Sequence, residues 1–292
     1  MKVAIIGRSQ LLYFTTFRLL EKGHTVPLII TAPASPEYSK NEKDFKVLAA
    51  DINARFFLAK SLNNSVILSA MRDLDIGVSI NWISIVKQEQ IDCFGLGILN
   101  AHMGDLPRYR GNACPNWAII NGEKEVILSI HFMEGEGLDC GRIIIQDRFT
   151  VTNETYIRHI YEWAEKVTPG LFAQALELLE KDPDYRLRYA DPASTESLRC
   201  YPRMPEDSRI DWSKPATDIH RLIRASGEPF SGAYWYINGK EKMIILEAEL
   251  FNDGERYCAI PGQISSISDA HFIVITGNGK LKITRWSSKV KV

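Results

Sequence analysis

The sequence has neither a long apolar segment nor an excess of positive charge. Its longest apolar runs, VAIIG and MIILEAEL, are far shorter than the roughly 20 residues that a membrane-spanning helix needs. The chain of 292 residues carries 35 Lys and Arg against 36 Asp and Glu, a formal net charge of −1. This balance gives no global positive field for nucleic acid. With no signal-peptide pattern at the N-terminus, we expect a soluble, cytoplasmic protein without membrane or nucleic-acid partners.

Cysteines are few and are not spaced as metal ligands. The five are Cys93, Cys114, Cys140, Cys200 and Cys258, an odd number without any C-x-x-C pair. This spacing disfavours a disulfide framework and a zinc site, and it fits reduced thiols in the cytoplasm. We predict that no metal is bound.

The first half of the chain alternates short apolar strands with helical patterns. Strands are predicted over 2–7, 25–30, 76–81 and 95–100, with helices over 11–22, 65–75 and 86–92. Two further strands, 126–133 and 141–146, precede a long helix over 154–181. Such alternation favours an α/β, Rossmann-like domain with a mostly parallel sheet between helices.

The pattern changes near residue 190. Two hairpins are predicted over 232–250 and 262–286, with turns at Asn238-Gly239 and at 277–279. The fold class is therefore an N-terminal α/β domain, 1–189, followed by a smaller, mostly β domain, 190–292, with an OB-like barrel or open barrel.

The first strand is not followed by the glycine pattern of dinucleotide-binding proteins. The opening AIIGRSQLLYF has Gly7 at the strand end but no G-x-G-x-x-G. This absence argues against a nicotinamide enzyme.

Three side chains with complementary chemistry come from two loops. Asn100 and His102 stand two apart at a strand end, so they face the same side, and Asp139 lies on a loop flanked by Gly137 and Gly141. An amide that stabilises an oxyanion, an imidazole that moves a proton and a carboxylate that orients it form an acid/base set. The set lacks a strong nucleophile, which predicts direct attack by an acceptor.

The segments that contain these residues resemble the folate-dependent formyltransferase family. They are NAHMGDLPRYRGNACPNWAIINGE and SIHFMEGEGLDCGRIIIQ, with RMPEDSRIDWSKPATDIHRLIRASGEPFSGAY resembling the start of the family's C-terminal domain. The resemblance implies that Asn100, His102 and Asp139 are catalytic and that N10-formyltetrahydrofolate is the formyl donor. It leaves open whether His102 or Asp139 first takes the proton.

The sequence departs from the family pattern near the expected donor site. His102-Met103-Gly104 stands where H-P-S is usual, and 134–137 reads E-G-E-G where relatives often carry M-D-A-G-type sequences. The residues expected to bind the donor are Trp82, Ile83, Ser84, Ile85, Leu106, Gly135, Gly137 and Leu138.

The motifs that identify the formyl donor do not by themselves identify the formyl acceptor. The family acts on methionyl-tRNA, glycinamide ribonucleotide and nucleotide-linked amino sugars. The glycinamide ribonucleotide enzymes resemble only the first domain, and the Arg-rich loop of the tRNA enzymes is missing here. The segment LRCYPRMPEDSRIDW resembles the sugar N-formyltransferases, which implies an amino sugar, with dTDP-4-amino-4,6-dideoxyglucose for lipopolysaccharide O-antigen synthesis as the leading substrate.

Alternatives stay open, namely a methionyl-tRNA formyltransferase, a formyltetrahydrofolate hydrolase and an inactive nucleotide- or folate-binding protein. The oligomeric state is also open, with a homodimer among the compatible arrangements. Residues proposed to bind the acceptor are Arg8, Ser9, Tyr13, Arg110, Asn112, Arg224, Tyr234 and Trp235. His131, which alternates with apolar neighbours on a strand, is expected to be structural.

Overall fold

A computed structural model describes residues 1–135, 137–237, 239 and 241–287. The chain divides into two compact units. The N-terminal unit contains Met1–Gly111, Val126–Phe149 and Glu162–Arg199, and the C-terminal unit contains Asn112–Glu125, Thr150–Tyr161 and Cys200–Val292. A domain boundary at residues 189 and 190 stays a prediction.

The N-terminal unit is built on an eight-stranded sheet in the order β3-β2-β1-β4-β5-β7-β8-β9. The strands in this part of the chain are β1 Lys2–Gly7, β2 Thr25–Thr31, β3 Arg55–Leu58, β4 Ile76–Ile80, β5 Ile98–His102, β6 Tyr109–Gly111, β7 Glu125–Phe132, β8 Gly141–Thr150 and β9 Arg188–Ala190. The helices are α1 Gln10–Glu21, α2 Glu42–Asp51, α3 Ser65–Met71, α4 Gln88–Ile91, α5 Cys114–Asn121 and α6 Ile157–Lys181. Of these, α5 and the first residues of α6, up to Tyr161, belong to the C-terminal unit. Neighbours from β3 to β5 are parallel, whereas β7 is antiparallel to β5 and β9 is antiparallel to β8.

Apolar residues alternate between the two faces of this sheet. Val3 and Ile5 face α1, α2 and α6, while Ala4 and Ile6 face α3 and α4. All four side chains are fully buried, as expected for a central strand covered by helices on both sides. The predicted α/β fold with a mostly parallel sheet is confirmed.

Several elements of the N-terminal unit were not predicted, namely the strands β3, β6 and β9 and the helix α2. The strand β3 has only four residues and is half exposed at the sheet edge, so its apolar pattern is weak. The helix α2 begins with a capping box, in which Asn41 accepts from the Lys43 amide and Asp44 accepts from the Asn41 amide. That cap is a readable sequence signal. The helix predicted over 65–75 ends earlier, at Met71, because Arg72 is extended.

The C-terminal unit is a five-stranded antiparallel sheet covered by one main helix. Its strands run in the order β11-β12-β15-β14-β13. Toward the C-terminus the elements are β10 Leu198–Cys200, α7 Ala216–Ser226, β11 Ala233–Ile237, β12 Glu241–Phe251, β13 Ile264–Ile267, β14 Phe272–Ile275 and β15 Lys280–Ser287, with a 3₁₀ turn at Pro205–Ser208. The mostly β character is confirmed, and an OB-like closure stays a prediction.

The helix α7 was missed because hairpin patterns dominate its surroundings. Its Ile219 and Ile223 are four residues apart and pack against Met243 and Phe272, which is helical spacing. The second predicted hairpin is confirmed by the pairing of β14 with β15. In the first hairpin β11 pairs with β12, but the predicted turn residue Asn238 lies outside the described residues.

In the described part of the chain, no helix has the length and apolar character needed to cross a membrane.

Candidate functional site

The site forms where β5 ends between a parallel and an antiparallel neighbour. Asn100 lies opposite Ser79 of β4 and His131 of β7, and His102 lies opposite Ser129 of β7. The two-residue spacing places the Asn100 and His102 side chains on one side of the strand. Ligands of open α/β sheets bind at this carboxyl edge, so local geometry places both side chains where a substrate would bind.

The tautomer of His102 follows from its backbone contact. Its Nε2 lies 2.6 Å from the carbonyl oxygen of Tyr109, and because a carbonyl only accepts, Nε2 carries the proton that is donated. In the neutral ring, Nδ1 is therefore the nitrogen with a free lone pair. Nδ1 lies 3.6 Å from Oδ2 of Asp139, so a proton taken up at Nδ1 meets a carboxylate.

Asp139 is held at this position by its own loop and by β6. Its φ of 48° is in the left-handed region, which few residues other than glycine adopt. The Gly111 amide donates to Asp139 Oδ2 at 2.8 Å, and Arg110 Nη1 donates to the Leu138 carbonyl at 3.3 Å. Arg110 and Gly111, which are adjacent on β6, thus fix the positions of both the Asp139 carboxylate and the preceding peptide.

A second histidine belongs to the same cluster. His131 is buried, with Nε2 3.4 Å from Asn100 Nδ2 and 4.0 Å from Asp139 Oδ1. Burial is the main cause that lowers the pKa of His131, while Asp139 opposes that shift. The sequence predicted only a structural role because the contact depends on the pairing of β5 with β7, which no local pattern shows.

The loop after His102 is packed tightly at Gly104. A side chain on residue 104 would collide with the Tyr109 carbonyl and with the His102 ring. The Gly104 carbonyl accepts from Ser129 Oγ at 2.9 Å. Ser129 Oγ in turn accepts from Gln146 Nε2 at 2.7 Å. Glycine in place of the family's serine at position 104 therefore has a local steric reason in this chain.

Apart from Leu106, the predicted donor-binding residues lie on two loops that contact each other. The Gly135 amide donates to Gln88 Oε1 at 3.1 Å, which joins the loop before Asp139 to the segment after β4. On that segment Trp82 Nε1 and Ser84 Oγ are buried and lack a hydrogen-bond partner among the described residues.

Apolar side chains on these two loops are open to solvent, with Ile85 85% exposed and Ile83 and Leu138 about two fifths exposed. Gly137 is also exposed. Exposed apolar walls beside unpaired polar atoms fit a flat heterocycle with polar edges. Leu106 is a correction, because it is completely buried against Ile143 and Ala190. It supports the loop and does not line an open wall.

Among the predicted acceptor residues of the N-terminal unit, Arg8 and Ser9 lie together. Arg8 donates to the carbonyls of Asn81 and Pro33 at 3.2 and 2.9 Å and lies over the Tyr38 ring. Ser9 is a correction, because its side chain is completely buried and its Oγ accepts from Asn81 Nδ2 at 3.2 Å.

The other two acceptor candidates of this unit have different neighbours. Tyr13 packs against the rings of Phe17 and Phe45 and the Lys40 ammonium. Arg110, proposed for the acceptor, instead reaches the loop that carries Asp139.

The remaining acceptor candidates belong to the C-terminal unit. Asn112 is exposed. Tyr234 packs under Lys242, whose ammonium lies 4.0 Å from the centroid of the tyrosine ring. Trp235 packs edge-on against Trp212. Arg224 is a correction. Its guanidinium is buried and donates to the Thr152 and Thr155 carbonyls, both at 2.8 Å, so it holds a turn of the backbone.

Comparison with known proteins covers both units. The family described as formyl transferase matches residues 1–176, and the formyl transferase C-terminal domain family matches residues 203–291. A methionyl-tRNA formyltransferase of Pelotomaculum thermopropionicum is 28% identical over an alignment of 296 positions, which spans 97% of this chain and 90% of the relative.

Two solved structures show the same fold over nearly the whole chain. WlaRD, a sugar 3N-formyl transferase crystallised in the presence of dTDP and 5-N-formyl-THF, has a TM-score of 0.73 and 19% identity, covering 100% of this chain and 99% of that one. An N-formyltransferase of Helicobacter canadensis, in complex with folinic acid and dTDP-3-aminofucose, has a TM-score of 0.74 and 19% identity, covering 98% and 100%. At this identity the likeness concerns the fold.

Proposed function

Because the chain belongs to the formyl transferase family, we propose that it is an N-formyltransferase that moves a formyl group from N10-formyltetrahydrofolate to the amine of a nucleotide-linked amino sugar. That it is a formyl-transfer enzyme follows from the family. The observation that carries the reaction chemistry is the cluster of Asn100, His102 and Asp139, in which the imidazole Nδ1 faces a carboxylate at 3.6 Å.

His102 Nδ1 is the proposed proton acceptor for the attacking amine. The bond from Nε2 to the Tyr109 carbonyl leaves Nδ1 as the basic nitrogen, and Asp139 stabilises the imidazolium that results. The carboxylate itself is stabilised by the Gly111 amide. We therefore propose that His102 takes the proton first and that Asp139 acts through it. As the bond between the formyl carbon and N10 breaks, the His102 imidazolium returns the proton to the leaving nitrogen, which balances the transfer.

Asn100 is the proposed donor to the formyl oxygen, on which negative charge develops as the amine attacks. An amide group carries two N–H donors, so one can remain directed into the site while the other is bound elsewhere. Preorganised donors of this kind stabilise charge without reorganisation during the reaction.

The residues present fit the folate donor, which supplies the formyl carbon when bound. Trp82 Nε1 and Ser84 Oγ offer unpaired polar atoms, and Ile83, Ile85 and Leu138 offer apolar surface. We expect folinic acid, a stable analogue of the donor, to slow amide hydrogen exchange in peptides spanning 82–88 and 133–139. Unchanged exchange in both loops at saturating folinic acid would contradict this assignment.

For the acceptor, a dTDP-linked amino-deoxy sugar of lipopolysaccharide O-antigen synthesis is favoured, with dTDP-4-amino-4,6-dideoxyglucose as the leading candidate. The dTDP-linked class is supported by the two solved structures similar over nearly the whole chain, a sugar 3N-formyl transferase with dTDP present and an N-formyltransferase in complex with dTDP-3-aminofucose. Both concern 3-amino sugars, so the choice of the 4-amino sugar rests on the sequence resemblance alone. Arg8, which is partly exposed, is the proposed contact for the diphosphate.

A second candidate is formylation of methionyl-tRNA, which the 28% identity to a methionyl-tRNA formyltransferase favours. The net charge of −1 argues against it, because tRNA is held largely through phosphates.

The deciding experiment incubates the protein with N10-formyltetrahydrofolate and separate acceptors, and follows the formyl mass shift. The panel contains 3-amino and 4-amino dTDP-sugars, their UDP counterparts and methionyl-tRNA. A shift on a nucleotide sugar supports the proposal, and a shift on tRNA alone replaces the acceptor. Formate release without any acceptor product would instead indicate a hydrolase.

A further inference from the structure

The most informative unassigned contact is that between His131 and Asn100. His131 faces Asn100 across the β5–β7 ladder, is 1% exposed and lies 3.4 Å from the amide nitrogen through its Nε2. No substrate can reach a ring buried to this degree. Any effect of His131 on the reaction must therefore pass through its neighbours.

The proton positions on His131 follow from the atoms around it. Nδ1 faces two acceptors, the carbonyl oxygens of Phe132 at 2.9 Å and Cys140 at 3.3 Å, so it carries a proton. Burial disfavours the charged ring, which lowers the pKa of His131. The ring is therefore neutral and Nε2 bears a lone pair toward Asn100.

A lone pair at this position determines which way the Asn100 amide points. If Oδ1 faced Nε2, two acceptors would oppose each other in a buried place, which is costly. With Nδ2 facing the ring, one N–H is donated to His131 and the second remains for the formyl oxygen. The amide orientation matters only because Asn100 is the proposed oxyanion donor.

We propose that His131 is a positioning residue for formyl transfer, which uses its Nε2 lone pair to fix the Asn100 amide with an N–H directed into the site. The proposal rests on the formyl-transfer function above. It assigns a role to a fourth side chain, one that does not contact the substrate. The contacts of Nδ1 with Phe132 and Cys140 then serve to fix the ring tautomer.

Two variants separate this role from simple packing. In His131→Gln the side-chain oxygen can accept from Asn100 but the Nδ1–H donor is lost, whereas in His131→Asn the amide can replace Nδ1–H but nothing accepts from Asn100. We expect His131→Asn to lower kcat about 10- to 100-fold with little change in KM, less than the about 10²- to 10³-fold cost of deleting an oxyanion donor. His131→Gln should retain most of kcat.

The controls address folding and coupling. Thermal unfolding should show both variants folded, and His220→Asn, which alters a buried imidazole of the C-terminal unit, should leave kcat unchanged. In an Asn100→Ala background, His131→Asn should have little further effect, because the residue acts through Asn100. Higher kcat in His131→Asn than in His131→Gln, or additive losses with Asn100→Ala, would overturn the proposal.

A spectroscopic test does not depend on knowing the acceptor. Long-range ¹H–¹⁵N spectra of histidine-labelled protein at neutral pH should show a neutral Nδ1–H tautomer for one buried ring, missing in His131→Gln. An Nε2–H tautomer or an imidazolium signal for that ring would reject the inference. If the acceptor panel yields no formylated product while this tautomer is present, the proposed function fails and the positioning geometry stands.

Discussion

At the scale of single residues, the site depends on which nitrogen and which oxygen face each other. His102 has its Nε2 occupied by the Tyr109 carbonyl and its Nδ1 directed toward Asp139. Asn100 has its amide nitrogen toward His131. Each assignment follows from donors meeting acceptors, and each gives a substitution with a defined outcome.

Substitution of the three central residues should remove turnover without unfolding the protein. We expect Asn100→Ala to lower kcat by about 10²- to 10³-fold through loss of one oxyanion donor. His102→Asn and Asp139→Ala should lower kcat at least as much. Steady-state kinetics beside circular dichroism tests this expectation, and near-normal kcat in all three folded variants would refute the proposed chemistry.

His220 should make the free energy of unfolding depend on pH. Burial, with a smaller contribution from Arg224, lowers the pKa of His220 to about 4, and Nε2 donates to the Ala248 carbonyl at 3.0 Å. Since the unfolded ring binds a proton near its ordinary value of about 6.5, the unfolded state holds more protons between pH 6.5 and 4. The free energy of unfolding should therefore fall as pH drops through that window, by at most about 3 kcal/mol from this group.

His220→Gln isolates this contribution, because the amide nitrogen of glutamine can still donate to the Ala248 carbonyl but does not titrate. Urea unfolding at several pH values should show a smaller loss between pH 6.5 and 4 in the variant than in the parent protein. Equal pH dependence in both would show that folding does not lower the pKa of His220. His24 and His131, whose pKa values are also lowered by burial, are unchanged in this comparison.

At the scale of elements, the short strand β9 connects the two loops of the site. Arg188 pairs with Asp105 at 2.8 Å in the loop after His102, and the Tyr189 hydroxyl donates to the Glu134 carboxylate, whose oxygens lie 2.7 and 2.8 Å away. The bond to Glu134 raises the pKa of Tyr189 to about 12, so the phenol stays a donor throughout the neutral range. The strand β9 thus restrains both catalytic loops from one side.

Tyr189→Phe should therefore loosen the loop that carries Asp139. A hydrogen bond to a charged group contributes about 1.5–3 kcal/mol when buried, and the half-exposed Tyr189 should contribute less. We expect amide exchange in the 133–141 peptide to rise by about tenfold or less, together with a higher KM for the folate donor. Tyr185→Phe, whose ring packs on the core of the same unit, serves as the matched control.

Elements also show what the sequence could and could not predict. The clustering of Asn100, His102 and Asp139 was predictable, because spacing along one strand and a glycine-flanked loop are local patterns. His131 was not, since its role requires the register Asn100↔His131 between β5 and β7. Arg110 and Arg224 were proposed to bind the acceptor, and only tertiary contacts show that they donate to backbone carbonyls.

At the scale of the whole molecule, charge separates the two acceptor classes. The chain has 35 Lys and Arg against 36 Asp and Glu, and many of these charges pair with each other, as Lys280 does with Asp253 and Glu255. A tRNA acceptor needs several free cations, because each phosphate contact releases counterions and steepens the dependence on salt. A nucleotide sugar has one diphosphate, which one or two basic side chains can meet.

The salt dependence of the acceptor's KM therefore tests the choice of acceptor. With a nucleotide sugar we expect KM to change less than about tenfold between about 50 and 200 mM salt, against a loss of about 10³ or more for an acceptor held by many phosphates. Arg8→Gln should raise that KM and reduce its remaining salt dependence, since Arg8 is the proposed diphosphate contact, while Arg148→Gln should leave both values unchanged because it removes the same charge elsewhere. Steep salt dependence, together with formylation of methionyl-tRNA and of no nucleotide sugar, would replace the acceptor and leave the roles of Asn100, His102 and Asp139 in place.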